Sequence, residues 1–183
     1  MSSRLATPAT VAASPAAAQG LLEAVGKQLG VVPNLFRLVA NSPAALEGLL
    51  GLNGALAKST IDAKTRERIA LVVAELNGCD YCLSAHSYLG KNVAHLDDAE
   101  MLANREGGSS DPKAEAALRF ATKVVRARGH VSDGDVQAVK AAGYGDAAIV
   151  DLVLLVALNT LTNYVNNVAK TEIDFPVVTH RPK

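Results

Sequence analysis

Cys79 and Cys82 are the only cysteines in the 183-residue chain, and they form a C-x-x-C pair. His86 follows four residues after the second cysteine, and Glu67 stands twelve before the first. These are the components of two-electron thiol chemistry. A thiolate is the nucleophile, an imidazole takes or holds its proton, and a carboxylate orients the imidazole and stabilises its charge. A sulfenic acid formed on one cysteine condenses with the other thiol to a disulfide. An ordinary thiol, with a pKa of about 8.5, is only about 3% ionised at pH 7. Lowering that pKa by about two units gives roughly 25-fold more thiolate. A cysteine at a helix start gains such a shift from unpaired N–H groups and the helix dipole.

The elements that must hold these groups are helices. The spacing predicts a helix from about Asp62 to Asn77, stopped by Gly78, and a second from about Cys79 to Lys91. At 1.5 Å per residue, Glu67 lies about 16 Å back from the Gly78 corner, Cys82 about 6 Å beyond it and His86 about 12 Å beyond it. In an antiparallel hairpin Glu67 and His86 therefore reach similar heights. Cys79, Cys82 and His86 share one helix face, at i, i+3 and i+7. The order Glu67, His86, Cys82, Cys79 traces a proton path. Glu75 is the competing carboxylate, on the same side of the helix as Glu67.

The remaining chain also reads as helix. A first helix follows Ser14-Pro15 and ends at Gly30. Leu35 to Val39 forms a short turn or helix after Pro33-Asn34. Ser42-Pro43 starts a helix to about Ala57 whose Gly48, Gly51 and Gly54 imply close backbone packing. Asp97 to Asn104, Asp111-Pro112 to Arg128, a short helix begun by a Ser132/Asp135 capping box, and Asp146 to Lys170 complete the set. The only strand-like pattern is a weak one at Val177-Val178-Thr179. An all-α bundle is the consistent fold class.

Composition sets the bounds. The chain is 49% hydrophobic and 20% charged, with 18 Lys+Arg against 18 Asp+Glu and 4% aromatics. These values fit one globular domain, and they offer no basic patch for nucleic acid. The longest apolar run, Ala147 to Leu158, is interrupted by Asp151 and reads as a buried helix too short for a membrane span. Residues 1–18 lack an apolar h-region and read as a flexible arm rather than a signal peptide. A cytoplasmic setting follows, and there the cysteine pair points to redox or metal chemistry.

Other meanings of the pair have missing partners. Zinc would need Cys79, Cys82, His86 and Glu67 together, without a second C-x-x-C. A c-type haem needs histidine where Leu83 stands. An iron–sulfur cluster needs four thiolates, and a thioredoxin motif needs a βαβ context. Two inert buried cysteines are the plain alternative. No cofactor or metal is therefore expected. His95, His130 and His180 read as surface residues. Arg66 and Arg68 read as solvated helix charges or interface partners, and Tyr81 as a steric and hydrogen-bonding neighbour of the thiols. Asn159, Asn163 and Asn166, at i, i+4 and i+7, read as hydrogen-bonded contact residues, with the alternative that Asn163 or Asn166 lines the active cavity.

The pattern Glu67-x11-Cys79-x-x-Cys82-x3-His86 resembles the core of the AhpD-like alkylhydroperoxidases, in the carboxymuconolactone decarboxylase superfamily. Gly30 to Phe36 (G-V-V-P-N-L-F), Ala141 to Ile149 and Glu172 to Pro176 (E-I-D-F-P) resemble its peroxidase-related branch. The resemblance implies an AhpD-like helical domain over 19–178, with a tail at 179–183, assembled as a homo-oligomer (dimer, trimer or hexamer). It implies a thiol-dependent peroxidase acting on organic hydroperoxides or hydrogen peroxide, and an external dithiol reductant that is lipoyl- or thioredoxin-like. It assigns peroxide attack to Cys82, resolution and exchange to Cys79, and the proton relay to Glu67 and His86. Tyr81 departs from the best-known members, which carry a histidine there and so have one more relay group. Two alternatives are an acid–base enzyme of the decarboxylase type and a non-catalytic disulfide redox sensor. No nucleic-acid or membrane partner is expected.

Overall fold

The computed structural model describes residues 3–181. The outermost ends of the expected arm (residues 1–2) and tail (residues 182–183) lie outside the described residues. Among the described residues there are nine helices and no strand. They are α1 (Ala16–Leu29), α2 (Asn34–Val39), α3 (Pro43–Leu56), α4 (Ala63–Asn77), α5 (Asp80–Asn92), α6 (Asp98–Arg105), α7 (Pro112–Ala127), α8 (Asp133–Ala141) and α9 (Asp146–Ala169).

Helix α4 is the axis of the bundle. Its middle, Ile69 to Ala74, is buried on every side, as expected for a helix without a polar face in that stretch. It packs against α5, α6, α7 and α9. Each fully buried Leu or Ile along it contributes about 1.5–3 kcal/mol by leaving water. Asp62 starts α4 by accepting from Thr65 N at 2.9 Å, and Thr65 Oγ1 returns a 2.6 Å bond. Gly78 ends it in the left-handed region (φ 61°), where only a residue without Cβ sits unstrained. Cys79 then caps α5, so two residues make the whole corner. The capping box at Ser132 and Asp135 is formed.

Three expectations change. The Val177–Thr179 segment forms no strand, because side chains take its backbone groups. Ser84 Oγ accepts from Val178 N at 2.9 Å, Arg105 donates to Thr179 O at 2.7 Å, and Asp80 accepts from His180 N at 2.8 Å. Gly48, Gly51 and Gly54 face open space, so packing within the chain does not account for them. Helix α9 continues well past the apolar run. By length and composition its 24 residues could cross a membrane, although it packs on α3, α4, α5 and α7 and carries buried Asn159, Asn163 and Asn166.

Ahead of α1, Val11 packs beside the Ala18, Leu22 and Leu46 cluster. Arg4 N donates to Ala169 O at 2.7 Å, at the end of α9. The C-terminal segment runs back over the α4–α5 corner. Ile173, Phe175 and Val178 pack against the apolar cluster that contains both cysteines.

Candidate active site

Helices α4 and α5 bring Glu67 and His86 together. Glu67 Oε2 lies 2.8 Å from His86 Nδ1, with both side chains about one-fifth exposed. Nδ1 donates to the carboxylate, which leaves Nε2 for proton exchange. Burial alone would lower the His86 pKa, but the Glu67 charge and hydrogen bond, together with the Cys82 charge, raise it. Glu75 takes no part. It pairs with Arg105 at 2.7 Å and accepts from Arg181 N, on the far side of the corner.

Both thiols are buried, Cys79 fully and Cys82 at 3% exposure. Cys79 Sγ, as the helix cap, accepts from Cys82 N at 3.3 Å. That bond favours a Cys79 thiolate, yet Cys79 is pushed well above the usual thiol range. The hydrogen bond its thiol makes with Cys82 is the main cause, followed by burial and by the Cys82 and Asp80 charges. Cys82 moves the other way, down to about 7. Its bond with the Cys79 thiol outweighs burial, and the His86 charge and the amides of Asn166 and Asn163 add to it. Cys79 thus caps the helix start, while the low-pKa thiol is Cys82.

Asn166 Nδ2 donates to Cys82 Sγ at 3.3 Å. Asn77 Nδ2 donates to Asn163 Oδ1 at 2.9 Å, and Asn167 Nδ2 donates to Asn77 O at 3.0 Å. The corner of α4 is thereby tied to the end of α9. The asparagine stripe is thus part of the thiol environment, and its i, i+3 spacing was the visible signal. Asn159 instead bonds Leu155 O within its own helix.

Tyr81 packs in the same apolar cluster as the thiols, but its hydroxyl is committed elsewhere. Its hydroxyl accepts from Leu35 N at 3.0 Å and donates to Asp174 Oδ1 at 2.8 Å, and its ring meets Phe175 edge-on. Asp174 Oδ2 also accepts from Asn34 N at 2.8 Å. Burial, first of all, lifts the Tyr81 hydroxyl well above the usual phenol range, so it stays a neutral strut. The P-N-L and D-F-P segments, 140 residues apart, meet on this one side chain. No sequence signal marks Asp174 or the Leu35 backbone as its partners.

His180 is held, contrary to the surface reading. Its Nδ1 lies 2.7 Å from Asp80 Oδ1, with its ring over Gly78. Arg68 is likewise no solvated charge: it is buried and pairs with Glu100 at 2.9 Å. Beside the thiols, a cleft of about 740 Å³ opens between the start of α5 and the end of α9, lined by Gly78, Asp80, Tyr81, Asn166, Thr171 and Ile173. Among the described residues, no three His, Cys, Asp or Glu side chains converge to hold a metal ion.

An all-α bundle that buries a thiol pair beside an imidazole–carboxylate pair defines the class. Residues 43–123, which include all four of these groups, match the model of the Carboxymuconolactone decarboxylase family. The alkylhydroperoxidase AhpD core of an uncharacterized peroxidase-related protein from Ralstonia eutropha JMP134 superposes with a TM-score of 0.83 at 26% identity, over 94% of this chain and 92% of that one. An uncharacterized peroxidase-related protein from Silicibacter sp. TM1040 superposes with a TM-score of 0.77 at 25% identity, over 86% and 85%. The debrominase Bmp8, in complex with 2,3,4-tribromopyrrole, shares the fold at 20% identity, with a TM-score of 0.79 over 94% of each chain. Among curated proteins, none matches the sequence. The chain thus carries a segment that matches the Carboxymuconolactone decarboxylase family, within a fold that is similar to the AhpD-like peroxidase-related structures.

Proposed function

We propose that the chain is a thiol-dependent peroxidase reducing organic hydroperoxides or hydrogen peroxide. The observation that carries this reading is the lowered Cys82 thiol, set beside a second buried thiol and the 2.8 Å His86–Glu67 pair. The likeness to peroxidase-related structures at 25% and 26% identity supports it.

The steps follow from these groups. Cys82 gives its proton to His86, whose Nδ1–H is held by Glu67. The thiolate attacks the terminal oxygen of ROOH, so that an S–O bond forms and the O–O bond breaks. Cys82 becomes a sulfenic acid, and RO⁻ leaves as ROH with the proton from His86. The Cys79 sulfur then attacks the sulfenic sulfur. An S–S bond forms, the S–O bond breaks, and hydroxide departs as water with the Cys79 proton. A lipoyl- or thioredoxin-like dithiol supplies the two electrons and two protons that reopen the disulfide.

Self-association is part of the same proposal. Val150, Val153, Leu154, Leu161, Tyr164 and Val168 are exposed along the outer face of α9, an apolar stripe suited to a second copy. In the decisive assay, purified protein consumes cumene hydroperoxide with dithiothreitol. Cys82→Ser abolishes turnover, and Cys79→Ser leaves a trappable sulfenic acid. Undiminished turnover in Cys82→Ser would sink the reading, and activity surviving loss of both cysteines would point to acid–base chemistry at Glu67–His86. 2,3,4-Tribromopyrrole, the ligand of Bmp8, serves as the counter-substrate.

A further inference from the structure

Two amides beside Cys82 each have one committed and one uncommitted end. Asn163 Oδ1 is held by Asn77, and its Nδ2, which faces Cys82 and helps to lower that thiol's pKa, completes no hydrogen bond. Asn166 Nδ2 is committed to Cys82 Sγ, and its Oδ1 has no partner. Asn163 is fully buried and Asn166 is 2% exposed. Thr171 Oγ1, also buried, is a third unpartnered atom, and it lines the cleft together with Asn166. Buried polar atoms are almost always paired, so two open amide ends beside one thiol, with a third open atom on the adjoining cleft, are unusual in a finished core. The open set contains an amide N–H donor and a carbonyl acceptor.

A hydroperoxide group complements that set. It offers one O–H donor and oxygen acceptors, and its inner oxygen gains negative charge as the O–O bond breaks. We propose that Asn163 and Asn166 form an amide subsite for the hydroperoxide group itself, reached through the cleft between α5 and α9. Asn166 Oδ1 accepts the ROO–H hydrogen and sets the terminal oxygen against Cys82 Sγ. Asn163 Nδ2 donates to the inner oxygen as it becomes RO⁻, in the manner of an oxyanion donor. Atoms and electrons balance as in the peroxidase cycle, on whose reading this subsite rests. The two roles differ from those of Glu67 and His86, which move the proton.

The test separates the subsite from the thiol. Asn163→Asp preserves the shape and the acceptor for Asn77, removes the Nδ2 donor and adds a carboxylate charge, so the neutral Asn163→Leu, which lacks donor and charge alike, must show the same loss of peroxide rate. Asn163→Ser is used where the aspartate variant does not melt cooperatively. The readout is single-turnover sulfenic acid formation from cumene hydroperoxide, trapped with dimedone and followed by mass spectrometry. Alkylation of Cys82 by iodoacetamide, which has no peroxide group to hold, gives the thiolate fraction at each pH. At equal thiolate fraction the variant is expected to lose about 10- to 100-fold in peroxide rate while alkylation is unchanged. Equal peroxide rates in variant and wild type, at equal thiolate fraction, would overturn the subsite. A wild type that forms no sulfenic acid would instead overturn the peroxidase reading.

Discussion

The molecule contains two buried polar clusters, and they are finished to different degrees. In one, the Glu100 carboxylate accepts from Arg68, Asn104, Ser109 and both the N–H and hydroxyl of Ser110, at distances from 2.5 to 3.0 Å. A single atom there, Asn104 Oδ1, lacks a partner. In the other, beside Cys82, one end of each of the Asn163 and Asn166 amides is open, and Asn166 lines a cleft together with the unpartnered Thr171 Oγ1. The saturated cluster locks α6 and the loop after it onto α4, so its energy is spent within the fold. The open cluster leaves polar capacity for something that arrives. Burial of charge alone would not have told them apart, since Glu100 is as buried as the thiols' neighbours.

The sharpest way to break that distinction is Glu100→Ala. It leaves the buried Arg68 charge with only the distant, half-exposed Asp111 carboxylate at 4.0 Å, and the expected loss is about 3 kcal/mol in a denaturant melt. The pH profile of Cys82 alkylation should not move. If it does, the two clusters are coupled and the division fails. The same carboxylate predicts an acid limb. Burial works against its charge, but the Ser109, Ser110 and Asn104 bonds overcome that and hold it down near 2. Its folded pKa is thus depressed below an unfolded value of about 4.3. Its stabilisation is complete above that value and is lost as pH falls from there toward about 2. Melts in that window should steepen in the wild type and flatten in Glu100→Gln.

Glu67→Gln tests the other cluster from its outer end. His86 loses the charge that keeps it protonated, and Cys82 then loses a cationic neighbour. Peroxide turnover should fall by about 100-fold. The alkylation midpoint should move above its position near pH 7, with the melt little changed. An unmoved midpoint would mean that the thiol is set by Cys79 and the asparagines alone. The smallest effect is expected at Tyr81→Phe. Losing the hydroxyl that joins Leu35 N to Asp174 should cost about 1 kcal/mol in stability. Thiol reactivity should be retained, because the hydroxyl bonds Leu35 and Asp174 and neither sulfur. A large loss of turnover would make Tyr81 part of the chemistry.

Helix periodicity and the Gly78 stop made the hairpin legible, and with it the meeting of Glu67 with His86, because both depend on local rules of rise and turn. The same rules placed Asn163 and Asn166 on one face. They could not say which way that face looked, since this depends on how α9 crosses α4. Arg68 was misread for a related reason. A charge at the end of the run Arg66-Glu67-Arg68 looks solvated until a partner 32 residues away is found. The strut at Tyr81 was invisible, as its partners lie 46 and 93 residues off, and one is a backbone N–H and the other an Asp in an ordinary turn setting. The glycines of α3 invited a packing explanation that needed a neighbour the chain does not supply.

The two-residue corner at Gly78 and Cys79 has a consequence for how such a chain can vary in length. One residue added between Glu67 and His86 would turn everything beyond it by about 100° around a helix axis and move it about 1.5 Å along. The imidazole would then face away from the carboxylate, and no loop lies between them to absorb the slip. Loop 128–132, between α7 and α8, carries none of the groups of the thiol site and can lengthen without turning any of them. Change inside the hairpin is therefore confined to substitution, whereas insertions and deletions have room elsewhere.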